Sequence, residues 1–90
     1  MLVLPAELTQ VQASACVRML VQGLSLETQA MVVADAAALT RFDSSALAVL
    51  LECRREALAL GKTFAVKGLP ERLRRLAGLY GVAELLPQPA

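Results

Sequence analysis

Arg41-Phe42-Asp43-Ser44-Ser45-Ala46-Leu47 is the stretch on which the fold turns. An apolar, strand-like segment gives way there, through Asp-Ser-Ser, to a long helical pattern. The first backbone N–H groups of a helix have no partners inside it, and short oxygen-bearing side chains supply them. Asp43, Ser44 and Ser45 therefore mark a helix start. The position has a second use as well. A serine there lies at the positive end of the helix macrodipole, where an added phosphate is favoured and brings about −1.5 to −2 charges. Ser44 is accordingly a candidate phosphorylation site, although capping alone accounts for the same residues.

Downstream, the helix is expected to run to about Leu60, with Gly61 as its stop. Counted at about 100° per residue, Ala46, Val49, Leu50, Cys53, Ala57 and Leu60 share one side, a stripe wide enough to cover a sheet. A second stripe starts at Ser44 and takes in Leu47, Ala48 and Leu51, then Arg55 and Leu58. Glu52 and Glu56 form a narrow polar wedge between the two. One apolar stripe suffices for a helix that flanks a small sheet. The second calls for another contact, either with a neighbouring helix of the same domain or with a protein partner.

Working outward, Met1 to Leu4 is a short strand ended by Pro5. Thr9 is expected to cap a helix running to about Gln22, with Gly23 as its stop. Met31-Val32-Val33-Ala34 is a continuous apolar run, as expected of a strand covered on both faces. Asp35 to Phe42 connects it to the central helix, and Thr63-Phe64-Ala65-Val66 is the next strand. Pro70 suits the first position of a third helix, whose apolar side is Leu69, Leu73, Leu76 and Ala77. Gly81 ends that helix, and Val82 to Leu86 forms a further short element. The β-α-β-α-β-α order predicts one α/β domain over residues 1–90, with helices flanking a small, mostly parallel or mixed sheet.

Composition narrows the function. The chain has no histidine, which removes the usual general base and the commonest metal ligand. Cys16 and Cys53 lie in apolar helical patterns without metal-ligand spacing, and read as small buried hydrophobes. No GxGxxG or GxxxxGK[ST] loop is present to cradle a nucleotide phosphate. Asp35 and Asp43 have no accompanying base or nucleophile. These absences predict a protein that is not an enzyme and holds no cofactor or metal. Nine Lys and Arg stand against eight Asp and Glu, so no global field draws the chain to nucleic acid or to an anionic membrane. Arg72, Arg74 and Arg75 form a local basic cluster, read either as a solvated face or as a match for an acidic partner. The first seven residues lack a basic n-region, and no stretch reaches the roughly 18 apolar residues of a membrane span. The expected setting is cytoplasmic.

Asp43-Ser44-Ser45-Ala46-Leu47, after an apolar strand and before a long helix, resembles the Asp-Ser-Ser-Gly-Leu signature of STAS domains, with Ala46 in the Gly position. Leu2 to Leu8 looks like that family's entrance to its first helix, and Gly61 to Gly68 is similar to its last core strand and turn. The run Leu76-Ala77-Gly78-Leu79-Tyr80-Gly81-Val82, followed by Leu85-Leu86-Pro87, resembles the STAS subunits of Mla ABC transporters, which move phospholipids to maintain outer-membrane lipid asymmetry. The resemblance implies a non-enzymatic subunit that binds the cytoplasmic ABC ATPase and, through it, the permease at the inner membrane. With the helix stripe, it points to Asp43, Ser44, Ser45, Leu47, Ala48 and Leu51 as the partner-binding residues. The alternative it implies is an anti-sigma factor antagonist regulated by phosphorylation of Ser44. An incomplete sheet edge would also suit pairing with a second copy as a homodimer.

Overall fold

The apolar run at residues 31–35 becomes the middle strand of a parallel sheet in the computed structural model, which describes residues 1–89. The chain runs β1 (Leu2–Val3), β2 (Glu7–Leu8), α1 (Ala13–Leu26), β3 (Met31–Asp35), β4 (Arg41–Phe42), α2 (Ser45–Ala59), β5 (Thr63–Lys67) and α3 (Glu71–Leu79), then a single 3-10 turn over Ala83–Leu85. The main sheet has the order β1-β3-β5, with Leu2 opposite Ala34 and Val32 opposite Phe64. Both of its ladders are parallel, as is the two-residue pairing of β2 with β4. This is the expected α/β fold, on the parallel side of the expectation.

Both crossovers step across the sheet in the same direction, and right-handed crossovers of that kind bring α1 and α2 to the same face. There they pack on one another. Leu20 and Leu24 of α1 and Val49, Leu50, Cys53 and Ala57 of α2 meet Leu2, Val32, Ala34, Phe64 and Val66 of the sheet in one buried cluster. The core is aliphatic, and no polar or charged residue is buried among the described residues. Beyond α3, Leu86 is drawn into this core and the Pro87 carbonyl accepts the Val66 N–H at 2.8 Å, covering part of the outer edge of β5.

Several expectations are corrected. β3 is covered on one face only: Val32 and Ala34 are buried, while Met31 is 46% exposed and Val33 half-buried on the opposite face. Successive strand residues point to opposite sides, so a run of apolar residues does not by itself report two covered faces. The segment 35–42, read as a connection to the central helix, ends in β4, the two-residue strand that forms the strand-like entry to Asp43. α1 begins at Ala13 rather than after Thr9, because residues 9–12 form a separate turn in which Thr9 N–H and Oγ1 both donate to Gln12 Oε1 at 2.8 Å. Gly23 lies inside α1 and does not stop it. A Cβ there would come within 2.8 Å of Leu2 Cδ2, so the glycine allows helix and strand to approach, and the helix continues until Leu24 is buried. Pro70 is the residue just before α3, with extended ψ, rather than its first member.

Candidate docking surface at the start of α2

β4 delivers the chain to the start of α2. The Ala6 carbonyl accepts the N–H groups of Thr40 and Arg41, and Arg41 pairs with Glu7 at 3.7 Å, which ties β4 alongside β2. Asp43 follows directly. Its Oδ1 accepts the Ser45 N–H at 2.8 Å and its Oδ2 accepts the Gln10 N–H at 3.2 Å, while its carbonyl accepts the Ala46 N–H at 3.1 Å. Asp43 is therefore the capping side chain of α2. These contacts, the Ser45 N–H foremost, hold its carboxyl below the usual carboxylate range.

Ser44 is the residue flanking the helix and makes no side-chain capping bond. Its carbonyl accepts the N–H groups of Leu47 and Ala48, which fixes the backbone while the residue itself stays exposed. With capping assigned to Asp43, capping no longer explains the Ser44 hydroxyl.

The remaining candidate residues divide. Ala48 is exposed, Ser45 and Leu51 are half-buried, and Leu51 packs against the core. Leu47 is a correction: at 3% exposure it belongs to the core, because its side of the helix is covered within the domain. The second stripe is thus absorbed by the fold at Leu47, partly at Leu51, and remains open at Ser44, Ala48 and Leu58, the last 45% exposed. In the first stripe, Ala46, Val49, Leu50, Cys53 and Ala57 are buried as expected, but Leu60 is 56% exposed because the helix ends at Ala59. Gly61 follows at φ +75, the left-handed conformation that closes a helix.

Two residues brought toward the start of α2 were not legible in the sequence. Val11, 87% exposed, follows Gln10 in the turn that Asp43 holds, and so comes to the start of α2 from 33 residues away. The Arg72 guanidinium of α3 lies 4.9 Å from the centroid of the Phe42 ring, two residues before Ser44 in the chain. The basic cluster was visible in the sequence; its placement over Phe42 was not, since nothing local links residues 42 and 72.

Chemically the surface offers the Ser44 hydroxyl and apolar side chains, since the N–H groups of Ser45, Ala46, Leu47 and Ala48 are taken up by Asp43 and the Ser44 carbonyl. Both Asp43 oxygens are engaged by backbone N–H groups, so the nearest carboxylate is committed to structure. Cys16 and Cys53 stay inside: burial raises the Cys16 thiol pKa and pushes the Cys53 thiol up to about 12. No described helix is long and apolar enough to cross a membrane.

The fold defines a small α/β domain with an exposed serine, next to the capping Asp43, at the head of its central helix. A family model described as Mlab, STAS domain, matches residues 1–87, and the chain belongs to the STAS-domain family. STAS domains are generally non-enzymatic binding domains. No curated protein matches the chain significantly.

Proposed function

We propose that this STAS domain is a non-enzymatic subunit of an Mla-type ABC transporter, binding the cytoplasmic ATPase and supporting its assembly and activity. Through the ATPase it would reach the permease at the inner membrane, where phospholipids are moved to maintain outer-membrane lipid asymmetry. The observation that carries the reading is the match of residues 1–87 to the MlaB-type family model. The exposed start of α2 supplies a surface for it, with Ser44 and Ala48 at its centre, Asp43 and Ser45 shaping the helix end and Leu51 at the margin. Leu47 supports that surface from beneath rather than touching the partner.

The test is binding of the purified chain to the purified Mla-type ATPase subunit of the same organism, followed by calorimetry. Wild type should form a stoichiometric complex and Ser44→Glu should weaken it, because docking would bury an unpaired charge. No complex with wild type overturns the reading. Capture of a kinase-like anti-sigma factor with phosphate incorporated at Ser44 would instead make the chain an anti-sigma factor antagonist.

A further inference from the structure

We infer that the docking surface continues from Ser44 across Phe42 onto the outer face of α3, where Arg72 and Arg75 select a partner segment bearing carboxylates beside apolar side chains. The inference rests on the transporter reading and specifies the chemistry of its partner.

Size is the first argument. Specific complexes bury about 800 Å² per partner, far more than Asp43, Ser44 and Ala48 can offer. The surface must extend, and Phe42, which precedes Asp43 and lies 4.9 Å beneath the Arg72 guanidinium, leads it toward α3. There, Arg72, Arg75, Leu76 and Leu79 line one shallow groove, and Leu79 is 80% exposed. These positions, at i, i+3, i+4 and i+7, form one helix face. Leu73 and Ala77 hold the opposite face in the core, so the groove points outward.

Charge sets the occupant. Between Glu71 and Leu79 there are three arginines and one carboxylate. Glu71 pairs with Arg75 at 3.2 Å, and Arg74 turns to the Gln88 amide. Arg72 has no carboxylate partner among the described residues and lies over the Phe42 ring. The stack leaves its donors free while restricting its motion, so an incoming carboxylate meets a guanidinium that is already oriented. Leu76 and Leu79 beside it favour apolar side chains in the same segment.

The experiment measures affinity for the purified ATPase subunit at low and high salt, using wild type, Ser44→Glu, the double variant Arg72→Glu with Arg75→Glu, and Arg18→Glu as a control at an exposed position of α1. The double variant should bind at least tenfold more weakly and lose most of the salt dependence, while Arg18→Glu matches wild type. Thermal melts establish that each variant is folded. Arg72→Lys supplies a second readout: it keeps the charge but not the planar fork, and should fall between wild type and Arg72→Glu. If wild type binds, Ser44→Glu weakens it and the double variant binds unchanged, the α3 inference is overturned alone. If wild type does not bind, the transporter reading falls and the inference with it.

Discussion

Asp43 Oδ2 accepts the Gln10 N–H at 3.2 Å while its Oδ1 caps α2 through the Ser45 N–H, so one carboxylate joins the entrance of α1 to the start of α2. Both helices lie on the same face of the sheet, and this bond sets where their N-termini meet. The exposed surface around Ser44 depends on that meeting.

Asp43→Ala should lower the melting temperature by about 4–8 °C, the scale of a lost cap in a domain of this size. Asp43→Asn should lower it less, because the amide keeps one acceptor oxygen. The folded pKa of Asp43 is depressed below its ordinary 3.8. Its contribution is therefore present above that pH and is lost as pH falls through the folded value. Thermal melts of wild type and Asp43→Asn should differ at neutral pH and converge in acid. A constant gap across that range would refute the role assigned to the carboxylate.

Leu47→Ala and Ala48→Asp, adjacent on α2, should separate folding from docking. Leu47 is buried, so its truncation should cost about 2–4 kcal/mol in urea unfolding. Ala48 is exposed, and Ala48→Asp should leave stability within about 0.5 kcal/mol while weakening the ATPase complex. Ser44→Glu should behave like Ala48→Asp, since an acidic side chain at a helix N-terminus does not harm the helix. Equal losses of stability in the three variants would contradict the surface described.

Gly68 sits at φ +69, and a Cβ there would lie 3.0–3.1 Å from the Cβ and backbone of Ala37. Gly61, at φ +75, has open space around it. Both substitutions to alanine meet the left-handed backbone penalty, about 1–2 kcal/mol. Only Gly68→Ala adds a clash with backbone, and chemical denaturation should show it as the more destabilised of the two.

Burial holds the Cys53 thiol at a pKa of about 12 and raises that of Cys16. At pH 8 an aqueous thiol reagent should leave both unlabelled in the folded chain and modify both in urea, because the thiolate is the reactive form. Rapid labelling of the native protein would show that the α1–α2 packing opens.

The element order was legible because helices of 14 and 15 residues repeat their apolar side chains often enough to show a period. Gly61 and Gly81 were readable as helix stops, and both have positive φ. Gly23 carried the same signal and meant something else, since its neighbour Leu2 is remote in sequence. β2 and β4, two residues each, could not register a period of two. Within the site, the Asp-Ser-Ser start of α2 was visible, but which of the three caps it was not: the choice falls on Asp43 because its second oxygen meets Gln10.

The sequence alone determined what local chemistry controls: an aliphatic α/β domain, a helix beginning at Asp43-Ser44-Ser45, and the absence of histidine. The tertiary structure decided which apolar residues are covered and which distant residues become neighbours. Leu47 and Ala48 are consecutive on one helix, yet one is in the core and the other in solvent. Phe42 and Arg72 meet only because the fold brings β4 and α3 together, 30 residues apart in sequence. Periodicity reports the face of an element, whereas exposure and adjacency depend on what the rest of the chain brings against that face.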